Sequence, residues 1–510
     1  MYFPKNDTQF SYGMGCHVLG KLSIGEFSVK LSEKDVMQVQ QAERIRDARW
    51  LLVGLAAANV VKFGFYGFRY FPILDDYIQY HNYGLYADVV RDVFQRTGTL
   101  CSRPLAGLFD AFVWGQFWGR MGVALLMITL LHTAAIWMLY RVFARTGVPC
   151  GRVFLVVCAL YPLLSEATYW ISASSRLVVG LFFAALAVFL LCQYYERGKA
   201  VFAAGFAIFN LLSYGFYEQV IAASCLLSLF VVWAYRRRWR LAAIPLGNLL
   251  LIGIYYIACR SAGVNAARSV LSADVIGHLQ AIWEQVSAAM GAYHWELLQN
   301  SLARGLALLR GRWWYGGAIV LSAVLLAFAG GPDTARRNRR KAVLALLLMA
   351  APFAPFLILD NSHISFRNLF LSFIGIALLA DMVFSGRAAR AAAGIAAALF
   401  LVCNVSELHD YRAVSQADAA ICGQIVPYVG DGSHPVYLVG AKACYVPLNT
   451  YFHEHIHNVT QSDWALTGAV RSYAEDVSIQ KVIPVPAGYT AFEPDAIVLD
   501  IDQNGLVTPR

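Results

Sequence analysis

Long apolar runs alternate with short polar connections along this chain as far as about residue 405, and then the pattern changes. Runs near 48–69, 120–141, 152–168, 176–194, 200–216, 219–235, 240–259, 314–330, 341–359, 367–383 and 389–404 approach the roughly 20 residues a helix needs to cross the hydrocarbon of a bilayer. Hydrocarbon offers no partner to open backbone groups, so such runs predict helices. The expectation is a polytopic α-helical membrane protein with about 11 transmembrane helices. Beyond Ser406, charged and turn-forming residues separate short β-like runs, HPVYLVG, KVIPVPAG and DAIVLDIDQNG. These predict a small C-terminal α/β or α+β domain.

The basic residues set an orientation for the spans. Arg141, Arg145 and Arg152 flank one short connection, Arg197 and Lys199 mark another, and RRRWR at 236–240 a third. ARRNRRK at 335–341 and the pair Arg387 and Arg390 mark two more. All of these fall on one side if residues 1–46 lie there too, and basic short loops mark the cytoplasmic side. The division expected is a cytoplasmic segment 1–46, a membrane domain 47–405 and an extracytoplasmic domain 406–510. The outer connections are longer and aromatic: 70–119, SEATYWISASSR at 165–176, YGFYEQ at 214–219, 260–313 and DNSHISFRN at 360–368. Within 70–119, apolar spacing predicts extracytoplasmic interfacial helices in DYIQYHNYGLYADVVRDVFQR and PLAGLFDAFVWGQFW, the second starting at Pro104. A further one is expected near 274–300.

Composition agrees with a membrane protein: 58% of the 510 residues are hydrophobic, 14% are charged and the mean hydropathy is +0.52. The net charge of +9 is accounted for by the short loops, so no nucleic-acid partner is expected. Residues 1–46 lack the apolar core of a cleavable signal peptide. The ten cysteines contain no CxxC spacing, and Cys422 and Cys444 lie in the exported part, where an oxidising compartment would permit a disulfide. Asn458 to Thr460 form a formal N-V-T sequon, read as ordinary surface of the external domain. No P-loop, HExxH or EF-hand loop is present to strengthen the case for a metal, and no nucleotide cofactor is expected.

The candidate chemistry starts with Asp75 and Asp76 at the outer end of the first span, where paired acids follow an apolar run. Glu166, Arg176, Glu218, His363 and Arg367 share that face, and ionisable groups at this depth turn toward a cavity or a polar partner. Such a cavity suits an amphipathic lipid phosphate. Arginine holds phosphate through a fixed fork of donors, and an aspartate takes the proton of an attacking alcohol.

The first span, the acidic pair beyond it, the interfacial helices and the many-span body resemble the GT-C superfamily of membrane glycosyltransferases, more narrowly the bacterial GtrII-like glucosyltransferases, over roughly residues 45–405. The resemblance implies a polyprenyl-phosphate-linked sugar as donor, an envelope or O-antigen-like glycan as acceptor, transfer with inversion on the extracytoplasmic face, and a bacterial inner or cytoplasmic membrane. It implies a catalytic or metal-binding acid in the first outer loop. Asp76 is the preferred base, with Asp75 orienting the acceptor or binding a cation, and exchanged roles fit equally. Glu166 is a second candidate, for acceptor contact or general-base assistance. Arg367, Arg176 and Arg103 are candidate donor-phosphate ligands. Glu218 would meet a sugar hydroxyl beside an aromatic wall of Tyr214, Phe216 and Tyr217, and His363 would meet phosphate or acceptor. Asp75 and Asp76 together suit Mg²⁺ or Mn²⁺, although a hard cation wants further oxygen ligands. A transporter or flippase of lipid-linked sugars, and an assembly protein that binds other envelope components, are the alternative readings.

Overall fold

The computed structural model describes residues 49–82, 103–236, 238–261, 274–329, 338–358, 364–447 and 457–510. The expected cytoplasmic segment 1–46, much of the first interfacial helix and His363 lie outside them.

Every one of the expected spans coincides with a helical element. They are α1 (49–63), α3 (Met121–Arg145), the interrupted α4 (Arg152–Leu160) and α5 (Ser165–Thr168), α6 (Ile171–Arg197), α7 (Ala200–Tyr214), α8 (Glu218–Tyr235) and α9 (Ala243–Ser261). The bundle continues with α12 (Trp313–Phe328), α13 (Arg339–Ala350), α15 (Ser372–Val383) and α16 (Gly386–Ile425). Short α2 (Pro104–Phe109) starts at its proline, α10 (Val275–Met290) and α11 (Ala292–Arg310) break at Gly291, and α14 (Phe366–Leu369) is a single turn. Among the described residues six helices are long and apolar enough to cross a membrane. The chain is a multi-span helical bundle with a small sheet region. Pro162 interrupts the third span, because proline lacks the N–H that would continue the helix ladder.

The basic connections meet at one end of the bundle. Arg145 Nε lies 3.4 Å from Glu196, Asn338 Nδ2 donates to the Gly147 carbonyl at 2.7 Å, and Arg340 lies over Trp233. Buried Asp381 accepts from the backbone N–H groups of Gly151 and Phe154, capping α4, and its charge is matched by Lys341 Nζ at 2.5 Å. An anion at a helix N-terminus satisfies orphan donors and meets the favourable end of the dipole.

At the other end α16 carries the chain out of the bundle. Its 40 residues span about 60 Å at ~1.5 Å per residue, roughly twice the hydrocarbon thickness. It runs unbroken through residue 405, so bundle and C-terminal domain share one helix. The domain is a four-stranded sheet ordered β2-β1-β3-β4 from β1 (Val436–Val439), β2 (Val482–Val485), β3 (Ile497–Ile501) and β4 (Val507–Pro509). β1 pairs in parallel with β2 and β3, and β4 closes the edge antiparallel to β3. The β1 to β2 crossover contains α17 (Asp463–Ala474).

Two expectations for this domain are corrected. Asn458 is not surface: it is fully buried, its Nδ2 donates to Asp418 at 2.7 Å and its Oδ1 accepts from the Tyr445 N–H at 2.7 Å. Cys422 and Cys444 are free thiols, one enclosed by the domain core and the other directed at the Val446 carbonyl. The domain has one small apolar cluster of its own, around Tyr437, Val439 and Val485, and shares a larger one with the first outer loop. Leu74 and Tyr77, from the first outer loop, belong to the same apolar cluster as Ile421, Leu466 and Leu499.

Candidate functional site

The acidic pair sits on an irregular backbone. After α1 the chain turns through Gly67 and Phe68, both with positive φ, and Gly122 is required beside them because a Cβ there would stand 2.5 Å from the Phe68 carbonyl oxygen. Leu74, immediately before the acids, has φ of 40°, a left-handed conformation costly for a branched side chain. A π-helical turn, Tyr77–Asn82, follows.

Asp76 is fully buried, and its carboxylate is held from four directions. Tyr70 Oη donates at 2.6 Å, Ser172 Oγ at 2.6 Å, and the N–H groups of Ile73 and Ser172 at 3.0 and 3.3 Å. Burial pushes its pKa up to about 7, although the hydrogen bonds from Ser172, Tyr70 and Ile73 favour the ionised form. Asp75 is half-buried, and among the described residues no hydrogen bond reaches it. Its charge acts on both Asp76 and Asp110, raising each.

Asp110 was not among the acids singled out from the sequence. It anchors Arg176, whose Nη2 lies 2.5 Å from Asp110 Oδ2 with both side chains buried. Tyr80 Oη donates to the other carboxylate oxygen at 3.4 Å and contacts Ser175 Oγ at 3.3 Å. Burial pushes Asp110 up to about 6, with Arg176 opposing. The available signal was a single acid inside the apolar run GLFDAFVW, since an intramembrane or interfacial acid needs a partner.

Helix α2 connects this group to a second one. At its start Arg103 Nε lies 3.1 Å from both oxygens of Glu218, and the guanidinium covers the Tyr217 ring at 4.1 Å. Asn368 Nδ2 donates to Tyr217 Oη at 3.3 Å, and Gln219 Nε2 to the Asn368 carbonyl at 2.8 Å. The neighbouring Arg367 lies 3.6 Å from buried Glu166 and over the Trp170 ring.

The structure thus gathers most of the expected residues at one end of the bundle, but pairs them off. Each of the three candidate phosphate arginines faces a carboxylate: Arg176 meets Asp110, Arg103 meets Glu218, and Arg367 meets Glu166. The expected aromatic wall divides. Tyr214 points to the Pro245 carbonyl among Ile221 and Ile252, Phe216 packs on Phe109 and Phe183, and Tyr217 alone stays with Arg103. Tyr214 is the last residue of α7, while the extended backbone of Tyr217 at the start of α8 turns its ring away from that of Phe216. Among the described residues no group of three or more His, Cys, Asp or Glu is arranged to hold a metal ion. The two oxygens of Asp76 are occupied by donors, so the pair does not fit a Mg²⁺ or Mn²⁺ site held by both carboxylates. A cavity of about 310 Å³ opens elsewhere, between α16 at Ala417, Ile421 and Gln424 and the residues Tyr445, Val446 and Leu506, and no carboxylate lines it.

No family model, curated protein or solved structure matches this chain. The geometry of its own residues therefore carries the functional reading.

Proposed function

We propose that this chain is a GT-C-type membrane glycosyltransferase that moves a sugar from a polyprenyl-phosphate donor to an envelope, O-antigen-like glycan at the bundle end opposite the basic loops. The observation that carries the reading is the acidic pair: half-buried Asp75 beside fully clamped Asp76, directly after the left-handed backbone of Leu74. In this reading all of the expected spans cross a bacterial inner or cytoplasmic membrane, with the N-terminus inside and the C-terminal domain outside.

The two acids then divide the work differently from the first expectation. Asp76 is a positioning residue, since its oxygens are already filled. Asp75 is the base. It takes the proton from the acceptor hydroxyl as that oxygen attacks the anomeric carbon. The bond from that carbon to the phosphate oxygen breaks, and its electron pair leaves with the lipid phosphate. Attack opposite the leaving group inverts the anomeric centre. Glu218 and Tyr217 are the candidate sugar contacts on the far side of α2, and Glu166 stays on the acceptor side.

The test uses the full chain in lipid with a panel of radiolabelled polyprenyl-phosphate sugars and envelope-glycan acceptors. Asp75→Asn is expected to lower transfer by about 10²-fold or more, the scale of a lost general base, with thermal stability kept. Transfer that survives unchanged in Asp75→Asn removes the base from the mechanism. Transbilayer movement of the lipid-linked sugar without any transfer would instead make the chain a flippase.

A further inference from the structure

Arg312 and Arg412, at the same bundle end, make no ion pair among the described residues. Arg312 precedes α12, donates through Nη1 to the Phe65 carbonyl, and places its guanidinium 5.0 Å from the Phe65 ring centre and 5.3 Å from that of Tyr66. Arg412, on α16, lies 4.6 Å from the Tyr66 ring centre, and among the described residues no ion pair engages either arginine. Tyr66 Oη shares a 2.9 Å hydrogen bond with His409 Nδ1. Nearby Arg304 is already neutralised by Asp410 at 2.6 Å.

We propose that Arg312 and Arg412 form a binding site for the phosphate of a membrane lipid, with Tyr66 as the platform on which both guanidinium groups rest. Two positive charges around one ring repel each other, and an anion that contacts both offsets that repulsion. Neither guanidinium spends its N–H donors on a carboxylate of the described residues, so donors remain for the forked contact phosphate favours. The start of α12 adds the positive end of a 16-residue helix.

The surroundings select a lipid over a soluble anion. Trp313 and Trp314 follow Arg312 and are 81% and 57% exposed, which fits aromatic residues at headgroup depth. From there Val320, Leu321, Val324 and Phe328 leave an exposed apolar stripe along α12. A phosphate at Arg312 would let its tail follow that stripe. The site requires no sugar transfer, and it supplies the unneutralised arginines that Arg103, Arg176 and Arg367 do not.

The experiment measures binding to the full chain in phosphatidylcholine nanodiscs, with no acceptor present. Radiolabelled polyprenyl monophosphate is titrated, with phosphatidylglycerol and inorganic phosphate as competitors. Arg412→Gln is expected to weaken polyprenyl phosphate binding about tenfold or more, the scale of a charge-assisted hydrogen bond, and Arg412→Lys less. Arg310→Gln, at an exposed neighbouring arginine, is expected to stay within about twofold, a change too small to represent such a bond. Because no hydrogen bond or ion pair to a described residue holds Arg412, its variants are expected to melt like the parent; Arg312→Gln also removes a backbone hydrogen bond and is compared only after its melt matches. Equal affinity in Arg412→Gln and the parent overturns the site, as does equal loss in Arg310→Gln. Displacement by inorganic phosphate at the concentration of the lipid overturns the lipid as ligand, whereas displacement by phosphatidylglycerol alone supports it with a broader headgroup range. A chain inactive in transfer would still report on this site, so the two readings fail separately.

Discussion

Burial and hydrogen bonding pull the Asp76 carboxyl in opposite directions, and burial wins, leaving it near 7. A carboxyl raised in the folded state binds a proton there that the unfolded chain has released. Stability from this group is therefore fully present below the ordinary carboxylate range and is lost as pH rises through about 7, with a slope of up to about 1.4 kcal/mol per pH unit. Ser172 donates both Oγ and N–H to Asp76, and these bonds matter most when it is ionised. Ser172→Ala is expected to destabilise the chain by about 1.5–3 kcal/mol at pH 8 and by clearly less at pH 5. Thermal unfolding in detergent at both pH values checks this, and a loss that shrinks with rising pH would contradict it. Asp110→Asn makes a related test on a buried ion pair. Removing the partner of Arg176 leaves an uncompensated buried charge, and a loss of about 3–5 kcal/mol is expected, partly restored when Arg176 is replaced by Met in the same chain. Residue types were legible in the sequence, but partners were not. Asp75, Asp76, Arg176 and Glu218 stood out as ionisable groups near apolar runs, and Asp110 carried the same local signal, whereas Arg312 and Arg412 gain their meaning only from elements distant in sequence.

Element identity came through the sequence better than element interruption. Apolar runs near the length of a span had helices, and the three β-like runs became β1, β2 and β3, because both patterns express burial along a single element. β4 is three residues long and is specified by pairing with β3, a contact no local pattern encodes. Also hidden was the docking of α17 on the acid-bearing turn. Gly468 lets α17 approach so closely that an added Cβ would collide with Ile78, while Tyr77 and Tyr473 hydroxyls meet at 3.4 Å. The C-terminal domain thus supports the loop from outside as Tyr70 and Ser172 hold Asp76 from within. Gly468→Leu is expected to cost about 1–3 kcal/mol by overpacking and to lower transfer beyond what the lost folded fraction explains. Leucine at 468 with wild-type transfer per folded molecule would show that this contact does not position the acids.

At the scale of the molecule, the bundle has two chemically different ends. One gathers Arg145, Arg238, Arg340 and Lys341 with contacts among their connecting segments; the other holds the acids, the paired arginines and the sheet domain. This sorting matches the charge asymmetry by which short basic loops remain in the cytoplasm. Everything proposed for the acidic pair depends on that orientation, since a donor and an acceptor presented outside can react only at the outer end. Thiol labelling decides it. In a background freed of the ten native cysteines, Lys199→Cys lies on an exposed basic connection and Ala487→Cys on an exposed turn of the sheet domain. A membrane-impermeant maleimide applied to spheroplasts is expected to label Ala487→Cys but to reach Lys199→Cys only after permeabilisation. The reverse pattern would place the acidic pair in the cytoplasm and end the extracytoplasmic transfer reading, while leaving the Arg312 and Arg412 phosphate site to be tested on the inner leaflet.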